Sequence, residues 1–135
     1  MAYLIDTNVI SELRRDVPNS GVSSWFSGVA DDEIYLSVLT LGEIRQGIEK
    51  LRIRKDRRAG KFEKWLNSLL KLYADRIIPI DSSVTDIWGK INAKHRIPVV
   101  DGLLAATAMA HGWTLVTRNV KDFARTGALV HNPFG

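Results

Sequence analysis

Four stretches of this sequence each place an oxygen-bearing side chain directly behind an apolar run or early in the segment that follows it. Asp6 ends Ala2-Tyr3-Leu4-Ile5, and Glu43 lies soon after Ile34-Tyr35-Leu36. Asp101 follows Pro98-Val99-Val100, and Thr117, Asn119 and Asp122 follow Trp113-Thr114-Leu115-Val116. If the apolar runs are strands of one parallel sheet, these residues meet on one rim. Carboxylates brought together repel and raise one another's pKa. A divalent cation among them relieves the repulsion, and Mg2+ needs only a few carboxylates beside water or phosphate oxygens. A site of that kind can activate a water against a phosphodiester and stabilise charge on the leaving oxygen.

Taken singly, each residue also has a structural explanation. Asp6 could cap a helix carrying Val9, Ile10 and Leu13, and Asp101 could cap the alanine-rich helix behind it. Thr40-Leu41-Gly42-Glu43 has capping-box spacing. Asp122 could cap a turn or pair with Arg125. Their shared placement behind strands favours the chemical reading.

The elements that must position them alternate. Short apolar runs at Ala2–Ile5, Ile34–Leu36, Ile77–Ile80 and Trp113–Val116 read as strands, with Ala128–Val130 a possible fifth. Pro79 argues that the third is an edge strand or a strand end. Val22, Trp25, Phe26 and Val29 share one helical face, as do Leu41, Ile44, Ile48 and Leu51. Phe62, Trp65, Leu66, Leu69 and Tyr73 mark a long helix, and Val84, Ile87, Trp88 and Ile91 another behind Asp81. A last helix runs from Asp101 to His111-Gly112, where the glycine suits a C-cap. Strands alternating with helices predict an α/β fold with a mainly parallel sheet of four to five strands and helices on both faces. Ligands of such sheets bind beyond the strand C-termini.

Composition narrows the class. With 135 residues, 45% hydrophobic and 25% charged, the chain suits a single domain over residues 1–135 and excludes disordered, collagen-like and coiled-coil classes. No apolar run is long enough for a membrane span, and Asp6 spoils any signal peptide. The lack of cysteine removes disulfides, zinc thiolates and thiol nucleophiles, and fits the cytoplasm. His95, His111 and His131 are not at zinc spacing, and the four tryptophans sit in packing register.

The blocks Leu4-Ile5-Asp6-Thr7-Asn8-Val9-Ile10-Ser11, Leu36-Ser37-Val38-Leu39-Thr40-Leu41-Gly42-Glu43-Ile44, Asp101-Gly102-Leu103-Leu104-Ala105-Ala106-Thr107-Ala108 and Leu115-Val116-Thr117-Arg118-Asn119-Val120-Lys121-Asp122-Phe123 resemble the PIN domain. Within it they are most similar to VapC-type toxins and the FitB group. Four blocks in register outweigh any one of them. The resemblance implies a PIN-like, Rossmann-like three-layer α/β/α sandwich. It also implies an Mg2+-dependent endoribonuclease, with Mn2+ the alternative ion, acting as the toxin of a type II toxin–antitoxin system. The implied partners are RNA, a VapB-like antitoxin and a second copy in a homodimer, with operator DNA reached only through the antitoxin complex.

Carried over by position, Asp6, Glu43, Asp101 and Asn119 are the implied catalytic residues, and Asp6, Asp101 and Glu43 the implied metal ligands. Asn8, Thr117 and Asp122 take supporting places, and Ser37 lies near the same rim. Asn119 departs from many members, which carry an acid there; Asp122 is the nearest replacement.

Two further features bear on partners. Net charge is +4, and the run from Arg52 to Lys61 alone carries +5, through Arg52, Arg54, Lys55, Arg57, Arg58 and Lys61 against Asp56. Such a patch attracts RNA phosphates, or an acidic antitoxin tail, though each base could equally be a solvated helix flank. Two other function classes compete. An aspartyl phosphohydrolase would want an acid two residues after Asp6, where Asn8 stands. A non-catalytic module would dock nucleic acid or antitoxin and leave RNA intact.

Overall fold

A computed structural model describes residues 1–135. Five strands form one sheet: β1 (Tyr3–Ile5), β2 (Ile34–Ser37), β3 (Ile77–Ile78), β4 (Thr114–Val116) and β5 (Val130–His131). Their order is β3-β2-β1-β4-β5, and every pairing is parallel. Leu4 stands opposite Leu115 and Ile5 opposite Val116, while Tyr3 pairs with Ile34 on the other side. The chain leaves β1 in one direction to build β2 and β3, and in the other to build β4 and β5. Between β1 and β4 lies the point where strand order reverses, which in open α/β sheets opens a crevice for ligands.

Seven helices join the strands: α1 (Thr7–Glu12), α2 (Ser20–Ser27), α3 (Val38–Ile53), α4 (Arg58–Leu72), α5 (Ser82–Lys94), α6 (Val99–His111) and α7 (Val120–Phe123). Alternation along the strands sends side chains into two separate layers. Ile5, Leu36 and Val116 pack with Val9, Ile44, Ile48 and Leu66 from α1, α3 and α4. Leu4 and Leu115 turn the other way, onto Leu104, Ala105 and Ala108 of α6 and Phe123 of α7. The three-layer arrangement follows directly, since both sheet faces are apolar and both are covered. On the α6 side the small residues allow close approach. A Cβ at Gly102 would come within 3.0–3.2 Å of Asn92 and Trp88 on α5.

Most expected elements are present with shifted ends. The third strand shrinks to Ile77–Ile78, at the sheet edge and just before Pro79. The fifth lies at Val130–His131 instead of Ala128–Val130. The last large helix starts at Val99, two residues before Asp101, with Pro98 preceding it, and it ends at Gly112 with φ +71°. Asp101 is therefore a first-turn residue and not the cap. The Thr40–Glu43 capping box does not form either. Ser37 caps α3, its hydroxyl accepting the Leu39 N–H at 3.0 Å, while the buried Thr40 hydroxyl has no partner.

Candidate active site

Asp6 is the pivot. It caps α1 and is only 6% exposed. Its Oδ1 accepts the Thr7 N–H at 2.7 Å, and its Oδ2 accepts the Thr117 hydroxyl at 2.8 Å and, more distantly, Asn8 Nδ2 at 3.4 Å. The structural reading of Asp6 as a helix cap thus holds, and it leaves the carboxylate on the sheet's rim. The cap fixes the carboxylate at the end of β1, next to the end of β4.

Thr117 is fully buried and completes a relay. Its Oγ1 accepts the Asn119 N–H at 3.0 Å while donating to Asp6. Asn8 Oδ1 accepts the Arg118 N–H at 3.2 Å, so Asn8 ties the two strand ends from above. Glu43 is brought in from α3 by a residue whose role the sequence did not disclose. Thr7 Oγ1 donates to Glu43 Oε1 at 2.6 Å, joining the turn after β1 to the helix after β2. The only signal was a hydroxyl residue directly following Asp6.

Electrostatics show that the acids sense one another. Burial pushes the Asp6 carboxyl above its ordinary value, against the hydrogen bonds from Thr117 and Thr7, and the charges of Glu43 and Asp101 push it further. Asp101 is also raised, by burial first and then by Asp122 and Glu43. Asp122, not Asn119, is therefore the fourth charge of the group. Asn119 is exposed, and its contribution is the backbone bond to Thr117. Asp101 and Asp122 line one cleft together with Lys121 and Arg125, although neither acid forms an ion pair with these bases. Every ion pair in the molecule lies elsewhere, leaving Asp6, Glu43, Asp101 and Asp122 without a cationic side-chain partner.

As arranged, these side chains form no cage of three acidic or histidine ligands around one point. Magnesium does not require one, because it keeps most of its waters and takes one or two carboxylates. The donor set is all hard oxygen, and mutual repulsion supplies the attraction for a cation. Those properties fit the ion.

The basic run is divided by the turn between α3 and α4. Arg52 is drawn into a network with Glu49 (2.5 Å) and Glu63 (2.6 Å), and Arg58 pairs with Asp56 at 2.8 Å. Arg54, Lys55, Arg57 and Lys61 are exposed and free of ion pairs. Of the six bases only Arg58 and Lys61 reach the hollows beside the acidic rim.

The fold is that of a known class, and the chain belongs to the PIN-domain family, which matches residues 3–129. Among its relatives, the toxin FitB of Neisseria gonorrhoeae is 36% identical over 97% of both chains. The VapC ribonuclease Y4jK of Sinorhizobium fredii is 32% identical over 97% of this chain and 96% of its own. The crystal structure of FitAcB from Neisseria gonorrhoeae superposes with a TM-score of 0.82 at 35% identity, covering 97% of each chain. That of FitAB bound to an IR36 DNA fragment gives 0.80 at 33% identity, covering 98% of this chain and 96% of the other. No helix is long and apolar enough to cross a membrane.

Proposed function

We propose that this chain is the toxin of a type II toxin–antitoxin pair and acts as an Mg2+-dependent endoribonuclease, with Mn2+ able to substitute. One observation carries the reading. A buried carboxylate, Asp6, is held by hydrogen bonds at the sheet's switch point in the field of Glu43 and Asp101, and none of the three makes an ion pair. Such an arrangement is unfavourable by itself and is explained by a cation in use. The relatives' names, a toxin and a VapC ribonuclease, point the same way.

Asp6 and Asp101 would hold the ion, with Glu43 close by and Asp122 adding charge. A divalent cation bound there supplies positive charge for the phosphodiester oxygens and makes a water more acidic. The chain's own groups do the rest. Thr117 and Asn8 fix the Asp6 carboxylate, and Thr7 fixes Glu43, so that Glu43 can accept the proton of a water attacking phosphorus as the bond to the leaving ribose oxygen breaks. Asn119 orders the loop that carries Thr117.

For partners, we infer a VapB-like antitoxin that covers the acidic rim, a homodimer, and contact with operator DNA only through the antitoxin complex. The relative FitAB bound to an IR36 DNA fragment supports the last of these. Residues 1–135 would work as one unit in the cytoplasm, where the RNA is. Arg54, Lys55, Arg57 and Lys61 would steer RNA by charge.

The test is cleavage of RNA by purified protein with Mg2+, with chelator, and with Asp6→Asn. Mapping of new 5′ ends in cellular RNA after brief induction accompanies it. Cleavage that needs the ion and disappears in Asp6→Asn is expected. Equal cleavage by Asp6→Asn overturns the site. Tight RNA binding with no cleavage under any ion favours a non-catalytic module.

A further inference from the structure

Beside the acidic rim lies a cationic hollow that the proposed chemistry does not use. A cleft of about 350 Å3 has Thr7 and Glu43 among its walls, together with Ser11, Arg14, Arg58 and Phe62. A second hollow, of about 470 Å3, shares Arg14, Arg58 and Phe62 and adds Arg15 and Lys61. Glu43, alone of the clustered acids, and four bases are thus linked along adjoining hollows, with Asp16 the one acid among the bases.

Arg14 is the unusual member. Its guanidinium is held 4.3 Å from the Phe62 ring centre and 5.5 Å from that of Trp65. Aromatic faces fix a guanidinium without neutralising it. Glu12, two residues away, is engaged by Arg15 at 3.5 Å and by the Asn19 N–H at 2.8 Å, so Arg14 has no carboxylate partner. Although Arg14 is exposed to solvent, partial desolvation of its guanidinium and the nearby Arg58 charge both disfavour its charged form. Arg58 is offset by Asp56, whereas Arg14 is not. A fixed, unpaired arginine facing a like charge across a cleft is stabilised when an anion enters between them.

We propose that Arg14, held over Phe62 with Arg58 and Lys61 beside it, is a subsite for a backbone phosphate of single-stranded RNA, next to the phosphate cut at the acidic rim. The inference rests on the ribonuclease reading for its substrate. Continuity with Glu43 favours RNA, because one strand can lie along both regions. The planar guanidinium suits two phosphate oxygens at once. Arg14 here is a binding residue and leaves the chemical step to the acids.

The experiment measures binding of a fluorescent oligouridylate RNA and of an oligoglutamate peptide in chelator, across a range of salt. Turnover is absent there, so the result does not depend on whether the chain cleaves RNA; cleavage by the parent with Mg2+ is scored separately. Arg14→Gln is expected to weaken RNA binding about ten- to hundredfold and to flatten the slope of log affinity against log salt by about 0.7. Arg14→Lys should keep the slope, since its charge remains. Lys71→Gln, at the far end of α4, removes the same charge and should change neither. Thermal melts of each variant separate lost binding from lost folding. RNA binding and salt slope unchanged in Arg14→Gln, or no RNA binding by the parent, overturn the subsite even if the parent cleaves RNA. Oligoglutamate bound more tightly than RNA and released by Arg14→Gln assigns the hollow to an acidic protein segment and overturns it as well.

Discussion

The Thr117 hydroxyl donates a hydrogen bond to Asp6 across 111 positions of sequence, at 2.8 Å, and both residues are buried. This bond joins the ends of the two central strands and sets the direction of the Asp6 carboxylate. Thr117→Val keeps the shape and removes the donor, leaving Asp6 Oδ2 and the Asn119 N–H each short of a partner. RNA cleavage is expected to fall about ten- to hundredfold, with stability lower by about 1–3 kcal/mol. Thr117→Ser should restore most of both. Cleavage rates and denaturant midpoints of the two variants check this, and equal behaviour of valine and serine would refute it.

Asp101 stands against its neighbours' charge, so removing that charge has opposite effects on folding and on function. The folded carboxyl is raised above its ordinary 3.8 by burial, Asp122 and Glu43. An acid raised in this way costs no stability at pH below its unfolded value and increasingly penalises the fold as pH rises through the raised one. Asp101→Asn is therefore expected to stabilise metal-free protein at neutral pH by about 0.5–1 kcal/mol and to give no gain near pH 3. Added Mg2+ should raise the parent's melting temperature and the variant's far less. Calorimetry with and without the ion measures both effects.

The clasp between α3 and α4 titrates in the other direction. Arg45 grips Glu63 through two bonds of 2.7 and 2.6 Å, and Arg52 adds a third at 2.6 Å. Together they hold the Glu63 carboxyl down to about 2 from 4.5. A depressed acid contributes stability that is complete above about pH 4.5 and is lost as pH falls towards 2. Glu63→Gln should thus lower the unfolding midpoint at pH 7 and match the parent at pH 2. The group is partly exposed, so added salt should shrink the difference.

Gly21 gives a purely steric test. A Cβ there would come within 2.5 Å of the Pro133 carbonyl oxygen and 2.6 Å of the Gly135 nitrogen. These are backbone atoms and cannot step aside as a side-chain tip can. Gly21→Ala is expected to destabilise by about 1–3 kcal/mol or to free the last three residues from Asn19, which otherwise holds Gly135 at 3.0 and 3.1 Å. Unfolding curves together with amide exchange at Phe134 and Gly135 distinguish the two outcomes.

The chain order of the elements was legible because each relied on local pattern. Buried strands read as apolar runs, and Asp81, Asn19 and Gly112 cap their helices by chemistry visible in the residue itself. Helix starts were less legible wherever two hydroxyl residues competed. Ser37 and Thr40 both suit a cap, and only the strand's length decides for Ser37. Among the candidate site residues, Asp6 stands directly behind β1 and Glu43 early in the helix behind β2, as their sequence positions suggest, whereas Asp101 lies in the first turn of α6 with no strand before it. Their orientation was not legible, because Thr7 reaches Glu43 across 36 residues and Thr117 reaches Asp6 across 111. Arg14 escaped notice for the same reason. Its aromatic supports, Phe62 and Trp65, lie on another helix, and nothing near it in sequence marks it as unpaired. The basic run misled in part, since Glu49 and Glu63 stand outside it and neutralise Arg52.

The central position of β1, with β4 inserted beside it only near the end of the chain, has a bearing on how such a protein can be made safely. A ribosome releases the N-terminal half, with Asp6 and Glu43, well before Asp101 and Thr117 have left the exit tunnel. Until then Asp6 has neither its anchoring hydroxyl nor the neighbouring acid of α6, so the proposed site is not assembled in an incomplete copy. On the proposed reading, the acids come together only once β4 has docked beside β1, late in the order of synthesis.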